Sequence, residues 1–239
     1  MRTARVIGHR GAAGHAPENT LAAVRAAAAL GTRWVEFDAK LSRDGAVVLF
    51  HDETLERTTD GRGRLAEQDL ATLKALDAGG WFAAAFRGER IPTLGETIAT
   101  LGELGLGANV EIKPDPGREV ETAEAVIRIL KAEWPAILPP PLISSFRAAS
   151  MATATRLAPQ YPAALLVGAI PSDWRRRLED LGCDGLHCDA GALTREQARE
   201  VLAAGCALRC YTVNESATAR MLFAWGVEAV FSDYPERIG

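Results

Sequence analysis

Gly185-Leu186-His187-Cys188, then Arg195 to Ala204, then Leu208-Arg209-Cys210-Tyr211-Thr212-Val213 decide the fold. A short apolar run, a segment with helical period and a second short apolar run follow one another, which reads as strand, helix, strand. Working outward, the same unit recurs along most of the chain. Further strand-like runs are Arg5–Gly8, Trp34–Asp38, Ala108–Lys113, Leu142–Ser145, Ala164–Val167 and Glu228–Ser232. Between them lie helix-period segments at Thr20–Leu30, Leu94–Leu104, Arg118–Trp134, Ala148–Leu157, Trp174–Leu181 and Ser216–Trp225. Strands that alternate with crossover helices build a parallel sheet, and eight such strands predict a closed (β/α)8 barrel of the TIM type, one domain over 1–239. An open doubly wound sheet is the runner-up, but no Gly-rich turn opens a helix after the first strand. Asp233 to Gly239 are too few for a crossover helix, so the last helix is expected to be short or missing.

One stretch breaks the rhythm. Leu41-Ser42-Arg43-Asp44-Gly45-Ala46-Val47-Val48-Leu49-Phe50-His51 follows the second strand, and Asp44-Gly45 signals a two-residue hairpin turn. With that turn Arg43 faces Ala46, Lys40 faces Leu49, and Asp38 faces His51 at about 5 Å. Residues 52–92 then run on with many charges, glycines and turn formers, plus the aromatics Trp81, Phe82 and Phe86. That is too long for a plain loop and reads as a small insertion over the strand ends, a candidate lid.

Composition narrows the function class. Hydrophobic residues make up 48% and charged residues 24%, which excludes disorder and fibrous repeats. The formal charge is −4, so no basic excess points to nucleic acid or an anionic membrane surface. The longest uncharged stretch, Leu157 to Ser172, is interrupted by Pro159, Pro162 and Pro171, and the apolar stretch near Met1 is too short for a signal peptide. Cys183, Cys188, Cys206 and Cys210 fit zinc spacing poorly and read as thiols in a reducing compartment. The expectation is a cytoplasmic protein that acts on small molecules.

Active sites of parallel barrels lie at the C-terminal ends of the strands. There this sequence places His9 and Arg10, Glu36 and Asp38, Glu111 and Lys113, with His51 brought in by the hairpin. Glu36/Asp38 and Glu111/Lys113 are i, i+2 pairs, so each pair shares one strand face. Buried charges need partners or a metal. Three carboxylates without a Cys pattern suit a hard cation, Mg²⁺ or Ca²⁺, and internal pairing with Lys113 and Arg10 is the alternative. Two histidines can divide base and acid roles. Cations beside acid–base groups point to an anionic substrate such as a phosphate ester.

His9-Arg10-Gly11, Pro17-Glu18-Asn19-Thr20, Glu36-x-Asp38, His51-Asp52, Glu111-x-Lys113 and Ser232-Asp233-Tyr234-Pro235 together resemble the motif set of the glycerophosphodiester phosphodiesterases. Leu55-Glu56-Arg57-Thr58-Thr59-Asp60-Gly61 and Ile91-Pro92-Thr93-Leu94 extend the likeness, which runs from about Ile7 to Pro235. The resemblance implies hydrolysis of glycerophosphodiesters, such as glycerophosphocholine, to sn-glycerol 3-phosphate and an alcohol. It implies Glu36, Asp38 and Glu111 as ligands of one divalent cation, His9 as proton acceptor and His51 as proton donor. Arg10 and Lys113 match phosphate-contacting positions. Tyr211 stands where many members carry Trp, at a substrate-packing position. A lysophospholipase D-type enzyme and a non-catalytic phosphodiester-binding barrel are the competing functions. Preferred head group, the choice of metal, the attacking group and the oligomeric state stay open.

Within these motifs, Thr20 reads as a helix cap, and Glu18 and Asn19 as candidate supports of the site. His187 reads either as a pocket residue or as a structural hydrogen-bonding group. Phe146, Trp81 and Tyr211 are candidates for the pocket wall. His15 has no partner that the sequence identifies.

Overall fold

The computed structural model describes residues 3–238; Met1, Arg2 and Gly239, at the ends of the expected domain, lie outside the described residues. The strands are β1 (Val6–Gly8), β2 (Trp34–Leu41), β3 (Val47–Leu49), β4 (Gly107–Ile112), β5 (Leu142–Ser145), β6 (Ala163–Val167), β7 (Gly185–Asp189), β8 (Ala207–Tyr211) and β9 (Ala229–Ser232). All but β3 are parallel and run in the order β1-β2-β4-β5-β6-β7-β8-β9. Pairing of Gly8 with Val35 on one side of β1 and of Ile7 with Phe231 on the other closes the barrel.

The crossover helices are α1 (Leu21–Ala29), α3 (Leu94–Leu104), α4 (Glu119–Glu133), α5 (Ala148–Leu157), α6 (Trp174–Leu181), α7 (Arg195–Ala203) and α8 (Ser216–Ala224), with the short α2 (Leu70–Ala75) between β3 and α3. Their starts are chemically marked. Thr20 accepts the Ala23 amide at the head of α1, and Thr93 with Glu96 forms a capping box on α3. Gly105 ends α3 in the left-handed conformation that a side chain would disfavour. After β9 the described residues form only a 3₁₀ turn, Pro235–Arg237, in line with the short last helix expected.

Apolar residues fill two arcs between strands and helices. One is built around Val35, Phe37, Val110 and Leu101, the other around Leu186, Leu208, Val201 and Leu222. Ile7, Trp34, Leu142, Ala164 and Phe231 form a smaller cluster of their own. Residues 52–92 have a separate small core of Leu55, Leu65, Leu73, Ala78 and Ile91 against Val48 and Phe50.

The hairpin exists, but its expected register is one residue off. Lys40 pairs with Val48 and Ala39 with Leu49, so the Phe50 amide, not His51, meets the Asp38 carbonyl. The reason is the loop. Ser42 and Ala46 close it around three residues, with Gly45 left-handed at φ 80°, and the Ser42 hydroxyl accepts the Ala46 amide at 2.9 Å. A two-residue turn would have put Lys40 opposite Leu49; the extra loop residue shifts every pair below it.

Candidate active site

The strand ends bring the seven expected rim residues to one place. A cavity of about 160 Å³ is lined by His9, Arg10, Glu36, His51, Glu111 and Lys113, together with Phe146, Leu166, Tyr211, Thr212 and Phe231. Asp38 stands directly behind, at Lys113 and Arg10. His51 lines the cavity despite the shifted register; regular pairing ends with the Phe50–Asp38 bond, and His51 lies beyond it.

Local backbone geometry aims the first motif. Arg10 and Gly11 both take left-handed φ, +49° and +88°. A Cβ on Gly11 would come within 2.5 Å of the Ala23 carbonyl carbon, so only glycine lets the turn lie against α1. This turn points the Arg10 amide at Glu36 Oε2, 2.9 Å away.

Glu36, Asp38 and Glu111 are all buried and present carboxylate oxygens within 4.8 Å of one another. Lys113 Nζ lies 2.9 Å from Glu111 and 3.2 Å from Asp38, and Arg10 Nε lies 3.5 Å from Asp38. Asn19 holds Asp38 from both ends, donating to Oδ2 at 2.8 Å and accepting the Asp38 amide at 3.1 Å. Burial pushes all three acids up, yet Lys113 and Arg10 bring Asp38 back well below the usual carboxylate range. Glu36 is raised well above that range by burial and by its two acidic neighbours, and Glu111 is raised to about 7 by burial and Asp38 against the pull of Lys113. Internal pairing therefore satisfies Asp38 but leaves Glu36 and Glu111 reluctant to ionise. Two such oxygens beside an ionised third fit a hard divalent cation.

Each histidine is held from behind by a carboxylate. His9 Nδ1 lies 2.7 Å from Asp233 Oδ1, and His51 Nδ1 lies 2.6 Å from Asp52 Oδ1. Asn214 donates to the other oxygen of Asp233 at 2.8 Å. Hydrogen bonding by Arg57 holds Asp52 down to about 2, and Asp233 is also lowered: burial would raise it, but His9 and Asn214 outweigh that. Ionised carboxylates only accept, so both rings carry a proton on Nδ1 and have Nε2 free for chemistry. Burial lowers the pKa of His51, helped by Arg10 and Lys113 and opposed by Asp38 and Asp52.

A chain of charge-assisted bonds links the two arms of the site. Arg57 Nε meets Asp52 at 2.6 Å and Arg57 Nη1 meets Glu18 at 2.7 Å, while Glu18 Oε1 meets Arg10 Nη1 at 2.6 Å. Glu18 and Asn19 are thus the supports that their motif suggests. Arg57, Asp52 and Asp233 stand in the quoted motifs, but nothing in local spacing announces their partners. Asn109, Ser144 and His187 also line the cavity; the first two carry no sequence signal beyond ordinary strand positions.

Tyr211 donates its hydroxyl to Val167 O at 2.7 Å, which turns its ring edge-on to Phe146 at 5.9 Å. Trp81 does not join this wall; it lies 40% exposed in the 52–92 segment and bonds Ala78. His15 pairs with Glu236 at 3.0 Å beside Tyr234, away from the acids. The four cysteines are free; Cys188 and Cys210 are buried and the other two half-buried.

Barrel and rim together define a hydrolase-like site in which acids, cations and two carboxylate-backed histidines share one cavity. Residues 9–237 match the model of the glycerophosphoryl diester phosphodiesterase family. A glycerophosphodiester phosphodiesterase of Bacillus subtilis (strain 168) is 33% identical across 96% of this chain and 83% of its own length. One from Caldanaerobacter subterraneus subsp. tengcongensis is 33% identical across 98% of this chain and 95% of its own. A phosphodiesterase of Oleispira antarctica, solved in complex with the product sn-glycerol-3-phosphate, superposes with a TM-score of 0.96 at 44% identity, covering 99% of this chain and 95% of that one. The chain belongs to the glycerophosphodiester phosphodiesterase family.

Proposed function

We propose that this protein hydrolyses glycerophosphodiesters to sn-glycerol 3-phosphate and an alcohol. The observation that carries the reading is the pair of histidines, each backed at Nδ1 by an aspartate, in one cavity with Arg10, Lys113, Glu36 and Glu111, the last two clustered with the buried Asp38. The Oleispira relative, which holds sn-glycerol-3-phosphate as its product, supports the choice of substrate.

Glu36, Asp38 and Glu111 would hold one divalent cation, Mg²⁺ or Ca²⁺, which supplies Lewis-acid polarisation of the phosphoryl oxygens when bound. Arg10 and Lys113 bind the phosphate and stabilise the charge that develops on it. His9 Nε2 takes a proton from the attacking oxygen, either the glycerol 2-hydroxyl or a water. His51 enters this step as the imidazolium, having taken a solvent proton at Nε2 while Nδ1–H stays on Asp52, and gives that Nε2 proton to the departing alcohol oxygen as its bond to phosphorus breaks. Attack by the 2-hydroxyl forms a cyclic phosphate that water then opens, and both routes use the same two histidines. Phe146 and Tyr211 wall the substrate. The chain acts as one barrel domain over 1–239 with 52–92 as its insertion, and its free thiols fit a cytoplasmic location.

The test is release of glycerol 3-phosphate from glycerophosphocholine by metal-stripped protein, with Mg²⁺ and Ca²⁺ added back separately. Turnover restored by metal and absent in His9→Ala is the expected result. Retained binding of the diester with no turnover in any metal would leave the binding-only reading. Turnover confined to micellar lysolipid would favour the lysophospholipase D type.

A further inference from the structure

Below the acids the cavity has a polar floor whose hydrogen bonds are incomplete. Asn109 sits on β4 two residues before Glu111, and His187 sits on β7 two residues before the strand's last residue. Steps of two keep side chains on one strand face, so both lie one level deeper in the barrel than the rim. Both line the cavity, at 1% and 0% exposure. Barrels ordinarily fill this depth with branched apolar side chains.

Asn109 donates its amide to Ser144 Oγ at 2.9 Å, which leaves Oδ1 as its free end; no described residue bonds that oxygen. His187 Nε2 faces Arg209 Nη1 at 3.4 Å. A guanidinium only donates, so Nε2 accepts and the proton of the neutral ring sits on Nδ1. Burial and the charge of Arg209 keep the ring neutral. Nδ1 also finds no partner among the described residues. Leu166 and Phe231, apolar residues that line the same cavity, offer none. The floor thus has one unpartnered buried acceptor and one unpartnered buried donor on residues that line the same cavity, and buried polar groups are almost always bonded.

We infer that Asn109 Oδ1 and His187 Nδ1–H form a hydroxyl-binding floor, with Asn109 accepting from hydroxyl groups in the cavity and His187 donating to them. A hydroxyl matches because it both gives and accepts a hydrogen bond; a phosphate or a carboxylate would meet the Asn109 oxygen lone pair to lone pair. The hydroxyl comes from the glycerol unit of the substrate or from bound water. The first source rests on the glycerophosphodiester reading, the second on the unpaired atoms alone.

Asn109→Leu removes the acceptor and His187→Phe the donor, on two separate strands. Inhibition by sn-glycerol 3-phosphate is compared with inhibition by n-propyl phosphate, which has the same chain without hydroxyls. A high-resolution crystal structure of the wild-type protein, free and with each ligand, accompanies it. If glycerol hydroxyls use the floor, each variant weakens sn-glycerol 3-phosphate about 10-fold and leaves n-propyl phosphate unchanged. If water uses it, the two ligands respond alike and the crystal shows a water oxygen about 3 Å from Asn109 Oδ1 or His187 Nδ1 with either ligand bound. The inference is overturned if neither atom has an oxygen within hydrogen-bond distance in any crystal and no variant separates the two ligands. The wild-type crystals decide this even where a variant fails to fold. A wild-type protein that cleaves no glycerophosphodiester would instead sink the functional reading, and the free crystal would still test the floor.

Discussion

His51 illustrates how a single side chain acquires a role from its surroundings. Alone it is a weak acid near neutrality; here Asp52 fixes its tautomer at 2.6 Å and burial lowers its pKa. A proton donor matters only when the leaving group needs a proton. His51→Ala should therefore lower kcat on glycerophosphocholine by about 10²- to 10⁴-fold, and far less on a p-nitrophenyl phosphodiester, whose phenolate departs unaided. Equal losses on both substrates in a side-by-side assay would remove His51 from the leaving-group side. His9→Ala, if His9 takes the proton of the attacking oxygen as proposed, should lose activity on both.

At the scale of elements, the segment between β3 and α3 is tied to the rim by one residue. Arg57 spans Asp52, which orients His51, and Glu18, which orients Arg10. A planar guanidinium can serve two carboxylates at once; a lysine ammonium is a point charge and cannot keep both bonds in place. Arg57→Ala is expected to reduce kcat/KM about 100-fold through misplacement of groups it does not itself catalyse with. Arg57→Lys should recover little of this, while the melting temperature changes by only a few degrees, since these are partly exposed ion pairs. Full rescue by lysine in steady-state kinetics would show that charge, not bridging geometry, is what matters.

The whole molecule sets the protonation of the acid cluster, because only the closed barrel buries the three carboxylates together. Glu111 has a folded pKa of about 7 against an ordinary 4.5, so the metal-free folded state holds a proton that the unfolded chain releases. Stability from that proton is present below about 4.5 and is lost as pH rises toward 7. A divalent cation needs the ionised form, so its affinity should rise with pH up to and through 7, with proton release on binding. Calorimetry of Mg²⁺ binding in two buffers of different ionisation enthalpy checks both statements; a pH-independent affinity without proton release would contradict them.

Much of this was legible in residue order. Alternating strand and helix periods determine the barrel, and the i, i+2 acids with His9 and Lys113 put a charged rim at its strand ends, because periodicity and strand-end position are properties of neighbours along the chain; the phosphodiesterase reading of that rim came from the likeness of its motifs to a family. Leu94–Leu104 and Ala148–Leu157 form helices with the bounds their patterns predict. Partnerships between distant segments were not legible. The hairpin register turned on one loop residue at Gly45, the Asp233 partner of His9 comes from the far end of the chain, and Arg57 meets Glu18 only after residues 52–92 fold back. Asn109 looks like an ordinary strand residue, and His187 stays divided between a pocket role and a structural one, until the barrel closes around them. Local sequence dictates backbone period and chemical type, whereas hydrogen-bond partners, burial and the pKa values that follow depend on which side chains three-dimensional packing brings within a few ångströms.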